Sequence, residues 1–426
     1  MPPWLSDVQG NVWPGFNKDH EAFLLVAFSG TESGPKWFRT VAPQIASAEE
    51  VAAFNALFKL VRARLGDDQR TLRVVSATWT NVAFTFAGLQ RLLGPAALAQ
   101  VPLAFRTNRV PFAESAADAT DVHAMLILAA DRSTDLDAEL QRQRDVLRTT
   151  GVREVRTYRG ATLPGRWRGR EHFGFKDLVS QPVLVGTQPD PADADLTPDG
   201  DVVVGQPDAD GGRRLAGGEW TRNGSFLAFI QLEQHVGTFW STMQREAGRL
   251  GLGPEQLAER LVGRTRRGED LSPQPPRLSH VGRAYPRWLP GGEADRHRIM
   301  RRGIPYGPPW EPGRPDDGEE RGILFVAYQA DLARQFEHIW TRWLNGADFP
   351  GPGAGSDPLV GQVPAGARSV AESTHGQDQR IAQLKLPHFV SPHYGGYFFS
   401  PALSQFAVLA GEPAPVRSTA SGGRYE

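Results

Sequence analysis

Apolar positions along the chain fall into two kinds of run. Residues 22–28 (AFLLVAF) are apolar throughout, which predicts a strand covered on both faces. Residues 46–65 repeat their apolar positions at helical spacing. Ser47 is placed to cap that helix, with Glu49 and Glu50 in its first turn. Residues 72–78 (LRVVSAT) alternate as a strand does, a helix begins across 86–93, and 122–129 (VHAMLILA) reads as a strand. A charged amphipathic helix over 136–149 and an alternating strand over 152–158 complete a β-α-β-α-β-α-β series.

A second series follows. Residues 225–232 (SFLAFIQL) predict a strand, and 235–250 and 253–262 predict helices, the latter with Pro254 in its first turn. Residues 322–329 (GILFVAYQ) are a strand. A helix over 332–344 puts Phe336, Ile339, Trp340 and Trp343 on one face, and 394–401 is a last strand. Two similar series predict an internal duplication: two α+β sandwiches with mainly antiparallel sheets. Three long irregular stretches, 183–223, 264–320 and 349–393, hold much of the chain's 46 glycines and 34 prolines. A compact protein keeps connections of that length when they have a use, here wrapping a sizeable ligand.

Composition narrows what that ligand is. Lys+Arg 47 against Asp+Glu 48 gives no global pull toward nucleic acid or an anionic membrane. The absence of cysteine excludes disulfides, thiolate-ligated metals and haem attached through a CxxCH motif. No apolar run reaches the length of a membrane span, and the N-terminus lacks a leader pattern. A cytoplasmic protein is expected, or an exported one whose leader is not in this sequence. Nothing resembles a nucleotide-binding loop or a serine nucleophile elbow.

Candidate chemistry gathers in 278–307 (LSHVGRAYPRWLPGGEADRHRIMRRGIPYG). His280 precedes Arg283 and Arg287 and a basic cluster of Arg296, Arg298, Arg301 and Arg302 that runs into a Gly/Pro turn. An imidazole with guanidiniums nearby suits a metal-bearing or anionic cofactor, although a lone histidine is more often a packed core or surface residue. Earlier, EHFGFKDLVSQP (171–182) sets Asp177 among aromatics and glycine, where a carboxylate can move protons. Taken singly, capping a turn is the commoner use of such an Asp.

In combination, DVQGNVWPGF, GFKDLVSQP, SHVGRAYPR, MRRGIPYG, RGILFVAYQ, WLNGADFP, SDPLVGQ and GGYFFSP resemble the dye-decolourising peroxidase family in content and order, from about residue 7 to residue 403. The resemblance implies two ferredoxin-like α/β sandwich domains, barrel-like together, at 1–182 and 183–426. It also implies one non-covalent haem b per chain, held mainly by the second. His280 matches the family's proximal ligand in His-x-x-x-x-x-Pro-Arg, and Arg287 its Pro-Arg ending, a propionate partner. Asp177 matches the distal aspartate of Gly-x-x-Asp-Gly, and Arg301 the distal arginine, with Arg302 its neighbour. Asp357 is similar to the acid that takes the histidine's other ring N–H, and Phe325 is expected at the distal face.

The resemblance further implies hydrogen peroxide and phenolic or dye-like electron donors as substrates. A carboxylate base keeps working in acid, so an acidic optimum is expected. A haem-delivery protein or a porphyrin-modifying enzyme are the alternatives; storage needs only the axial ligand, so Asp177 and Arg301 favour the peroxidase. Oligomeric state is left open. This chain departs from the family at Leu178, where the family has glycine, at Gly282, where many members carry arginine, and across 104–122. His20, His123, His235, His297 and His338 match no ligand position. His172 falls near Asp177, and His375, His388 and His393 show no zinc spacing. Trp310, Trp340, Trp343 and Tyr306 are read as packing residues before electron relays.

Overall fold

The computed structural model describes residues 2–412 apart from 67, 116–120, 186, 188–195, 272–274, 312, 314–316, 363–383 and 385. His375 and the C-terminal tail therefore lie outside the described residues. The strands are β1 (His20–Phe28), β2 (Thr78–Phe84), β3 (Glu114–Ser115), β4 (Ala124–Ala130), β5 (Val152–Ala161), β6 (Val183–Leu184), β7 (Leu196–Thr197), β8 (Ser225–Gln234), β9 (Met300–Arg301), β10 (Ile304–Tyr306), β11 (Gly322–Gln329) and β12 (Val390–Ser400). The α-helices used below are α1 (Ser33–Val41), α2 (Ala48–Leu65), α3 (Asp68–Val74), α4 (Phe86–Leu93), α5 (Leu103–Thr107), α6 (Ser133–Thr150), α7 (Val236–Arg249), α8 (Pro254–Val262) and α9 (His280–Ala284).

One sheet runs β10-β11-β8-β12-β2-β4-β1-β5, antiparallel along its whole path; among the described strands the short β3–β12 and β6–β7 pairings are parallel. Counting strands in chain order within each half, β1, β2, β4, β5 and β8, β10, β11, β12 both lie in the spatial order 2-3-1-4. Each half thus repeats the same ferredoxin-like arrangement, which is the duplication the sequence pattern predicts. Along the sheet's path the halves meet at a single ladder pair, Phe399 of β12 with Phe84 of β2, and off that path β3 adds two parallel pairs to β12.

Both faces of this sheet are buried, and the strands alternate between two cores with period two. Ala22, Leu24, Val26 and Phe28 face the outer core with the helices, while Phe23 and Leu25 face an inner one. Across that interior Phe23 meets Phe229 at 5.4 Å and Tyr158 meets Tyr394 at 5.9 Å, although their strands are not neighbours. The sheet therefore curls on itself. Its ends touch without a ladder: a Cβ on Gly160 of β5 would lie 2.3 Å from Ile304 Cγ2 of β10. The result is barrel-like but not a closed barrel.

The N-terminal segment fastens the weak joint. Buried Gln9 donates to Val82 O (3.0 Å) and Pro401 O (2.9 Å) and accepts from Val82 N–H (2.8 Å), so one side chain ties β2 to the end of β12. Gln9→Ala removes three bonds and leaves buried backbone groups unpaired. Unfolding free energy is expected to fall by about 2–4 kcal/mol, read from urea denaturation.

Two elements differ from the pattern. Of the strand expected over 72–78, residues 72–74 end α3 and only Thr78 falls in a strand, β2, which runs on to Phe84. The helix expected over 332–344 is a π-type helix, Ala333–Leu344, in which Glu337 N–H reaches Leu332 O five residues back (2.8 Å). Phe336, Ile339, Trp340 and Trp343 are all buried on it, as expected.

Candidate active site

A cavity opens where the 171–180 loop, α9, the 297–303 segment and the π-type helix converge on β8 and β11. Its walls are mostly apolar, Ile230, Leu232, Phe325 and Ile339 among them, and His280, Asp177 and Arg301 all line it. His280 begins the single turn α9, whose start is set by Ser279: its Oγ accepts from Gly282 N–H (3.1 Å) and donates to Pro276 O (2.6 Å). Gly282 has no alternative here, since a Cβ would sit 2.1 Å from Pro276 O.

His280 Nδ1 lies 3.1 Å from Asp357 Oδ2. Asp357 is fully buried, and its Oδ1 accepts from the N–H groups of Leu359 and Val360, both at 2.9 Å. Burial pushes this carboxyl up, but facing His280, the Val360 N–H and Arg283 outweigh it and hold it below its ordinary value. An ionised Asp357 takes Nδ1–H and leaves the Nε2 lone pair unpartnered among the described residues, in the cavity wall. Arg283 is wholly buried and donates to the carbonyls of Gly355 (2.9 Å) and Ala354 (3.0 Å), clamping α9 to the loop that carries Asp357.

Asp177 Oδ1 lies 3.5 Å from Arg301 Nη1. The two are brought together by the backbone. Arg301 N–H donates to Gln181 Oε1 (3.1 Å), the Gln181 amide donates back to Arg301 O, and the Arg301 guanidinium donates to Val179 O (3.2 Å). Leu178 N–H donates to Asp177 Oδ1 (2.6 Å), leaving Oδ2 unpartnered among the described residues. Burial lowers the Arg301 pKa, Asp177 raises it, and Arg264 and Arg298 lower it further, so Asp177 is what stabilises that charge. Arg302 points elsewhere, to the carbonyls of Asn11 (3.1 Å) and Val12 (3.2 Å).

Phe325 lines the cavity, 6.0 Å from Phe336. Arg287 does not: its guanidinium is engaged by Asp270, and the arginines that do line the wall beside Arg301 are Arg264 and Arg298. Arg298 donates to Tyr285 Oη (2.7 Å), and Arg264 Nε to Asp270 (2.8 Å). The Pro-Arg spacing points to Arg287 but carries no signal of which way it turns. His297 also lines the wall, yet its nitrogens are taken by Arg334 O and by Glu293 (3.0 Å).

Glu171, unassigned by sequence reasoning, lines the cavity too and holds the loop before Asp177. It accepts from the N–H groups of Phe173 and Phe175 (2.8 Å each) and from Gln234. Burial pushes its carboxyl up to about 7 despite those donors. A carboxyl raised on folding keeps its proton while the unfolded chain loses one, so stability falls as pH rises from about 4.5 toward 7. For Glu171→Gln the loss of stability between pH 5 and pH 7 should be smaller than in the wild type, by up to about 3 kcal/mol, in urea titrations at each pH.

Comparison with known proteins agrees with this arrangement. Residues 206–349 match the family model for the Dyp-type peroxidase C-terminal region. The dye-decolorizing peroxidase AauDyP1 of Auricularia auricula-judae is 27% identical, with 94% of this chain and 85% of that protein covered. The dye-decolorizing peroxidase msp1 of Mycetinis scorodonius is 28% identical, covering 95% and 87%. The solved structure of an ancestral D-type dye decolorizing peroxidase superposes with a TM-score of 0.75 at 27% identity, over 95% of this chain and 99% of that one. Along nearly its whole length the chain is similar to dye-decolourising peroxidases. Against the family glycine, Leu178 keeps the left-handed backbone, with φ 55, and stays 45% exposed. A leucine there is strained by about 1–2 kcal/mol. Leu178→Gly should therefore raise the melting temperature modestly, by less than that strain because glycine also loosens the unfolded chain. The many-member arginine at the Gly282 position has no room on this backbone, for the reason given by Pro276.

Proposed function

We propose that this chain is a haem peroxidase that reduces hydrogen peroxide to water and oxidises phenolic or dye-like organic donors one electron at a time. Haem b, bound without covalent attachment and one per chain, is the cofactor this reading requires. The residues present fit it: an apolar cavity, one imidazole with a free nitrogen, and cationic Arg264 and Arg298 suited to its carboxylates. His280 would hold the haem iron through its ring nitrogen. When bound, the haem iron supplies the redox centre for cleavage of the peroxide O–O bond.

The chain's own groups do the rest. Asp357 orients the imidazole and makes it more basic, as the partner of a ligating histidine does. Asp177 accepts a proton from one peroxide oxygen and returns it to the other, so that the latter leaves as water. Arg301 stabilises negative charge on the departing oxygen and keeps Asp177 ionised. In this reading the halves 1–182 and 183–426 divide the work, the first bringing Asp177 and the second His280, Arg301 and Asp357. Phe325 contributes an apolar wall.

The single observation that carries the proposal is that Asp177 and Arg301 meet in the same cavity that His280 lines. A haem carrier needs no such pair. Stopped-flow mixing of the haem-loaded chain with peroxide tests it. A fast change in the haem absorption spectrum, followed by return to the resting spectrum on adding a phenol, is expected. Slow bleaching alone would assign the protein to haem carriage.

A further inference from the structure

The helix α2 carries more apolar surface than the fold uses. Its inner side packs normally: Val51 is buried, and Phe54 sets its ring against Trp79 at 5.4 Å. Its opposite side is apolar as well, yet exposed, with Leu57 49% and Leu60 68% accessible and Ala53, Ala56 and Ala63 exposed beside them. These residues recur at the three- and four-residue steps that form one continuous stripe. On α3 next to it, Val74 is 67% exposed. A helix apolar on both sides is normally enclosed, and this one is not.

The charges at its ends say what covers it. Glu49 and Glu50 occupy the first turn, and Arg62 and Arg64 the last. Glu50 is committed to capping Ser47, whereas neither Glu49 nor Arg64 makes a side-chain ion pair among the described residues. Laid antiparallel on itself with Ala56 facing Leu57, the stripe also sets Ala53 against Leu60 and Glu49 against Arg64. The same offset satisfies every pair, and each occurs twice, as a two-fold interface requires. An acidic start and a basic end fit a reversed copy of the same helix; an anionic lipid surface would meet Glu49 and Glu50 with repulsion.

We infer that the exposed face of α2 pairs with α2 of a second copy of this chain, antiparallel, to form a two-fold dimer. Alanines alternating with leucines let the two helices approach closely. One helix pair buries less than the roughly 1,200–2,000 Å² of a standard interface, so the dimer is reversible and its population depends on concentration. The stripe lies away from the cavity residues, and the pairing does not depend on the peroxidase chemistry.

Sedimentation velocity of the haem-loaded full chain over a concentration series reads this directly. The wild type shifts from one to two chain masses as concentration rises. Leu60→Glu, at an exposed position, weakens association by at least about tenfold with the circular dichroism spectrum unchanged. Glu49→Arg alone and Arg64→Glu alone each weaken it, and the double variant recovers it, because the ion pair is restored with its sign reversed. A wild type that stays monomeric throughout, a dimer indifferent to Leu60→Glu, or a double variant no better than the singles would each overturn the inference. So would a monomer that co-sediments with phosphatidylserine vesicles, which would give the stripe to a lipid surface instead.

Discussion

Asp177→Asn should lower kcat/KM for hydrogen peroxide by about 10²–10⁴-fold while the chain still takes up a full complement of haem. The substitution is nearly isosteric, and the Leu178 N–H that now donates to Asp177 Oδ1 can donate equally to an amide oxygen. What disappears is the ability to accept a proton, and with it the negative charge 3.5 Å from Arg301 Nη1. Arg301 would then face Arg264 and Arg298 without its one anionic neighbour in the wall. Two separate losses therefore fall on the same step, proton transfer and the placement of the guanidinium. In the proposed reading His280 and its partner Asp357 are on other elements and feel neither. Presteady-state mixing with peroxide, with haem content measured on the same samples, separates the two quantities. A variant that reacts at the wild-type rate would remove Asp177 from the proposed proton transfer.

The sequence pattern made most of this fold legible because the strands are buried on both faces. A run such as AFLLVAF has no polar face to confuse with a helix, and β1, β4, β8 and β11 were all expected where they stand. β2 was not, and the reason is tertiary. Its sequence TWTNVAF contains a polar Asn81 that is buried only because Asn11 N–H donates to it (2.6 Å) and it donates to Ala46 O (3.0 Å). Those partners are 35 and 70 residues away, beyond the reach of a local pattern. The neighbouring LRV of 72–74 alternates equally well and was preferred. β9 and β10 span two and three residues, too few to show a period, yet β9 is what carries Arg301.

Within the site, the resemblance to the family singles out His280, Asp177, Arg301, Asp357 and Phe325, all of which come to one cavity or to the histidine in its wall. Direction was not legible. Arg287 and Arg298 are both arginines in one basic stretch, and only the turn between them, with its two left-handed glycines at 291 and 292, decides that Arg298 lines the cavity while Arg287 reaches Asp270. Glu171 escaped notice because its partners are backbone N–H groups of the same loop and a distant Gln234, none of which has a spacing to recognise.

His280→Ala should abolish haem retention, and no other side chain of the cavity wall can take its place. The wall's other histidine and its two carboxylates are held by other groups. His297 has both ring nitrogens engaged, by Arg334 O and Glu293, and is stacked on His338 at 4.0 Å. Glu171 is tied by three donors, and Asp177 faces the Arg301 guanidinium. His280 Nε2 has no partner among the described residues, and Asp357 is buried behind the ring with Oδ2 facing Nδ1. Deleting the ring therefore removes the ligand and leaves a buried carboxylate without its partner, a loss to stability as well. Asp357→Asn keeps the ligand but loses its anionic partner, so a smaller change follows, about 10–100-fold in haem affinity or activity. Haem titration followed by absorbance, with and without added imidazole, orders the two variants. Imidazole should restore part of the binding to His280→Ala, because Asp357 remains in place to hold its N–H, and should do nothing for Asp357→Asn. Haem retained at full occupancy after His280→Ala would mean that the iron is held from somewhere else, and the proposed site would fall with it.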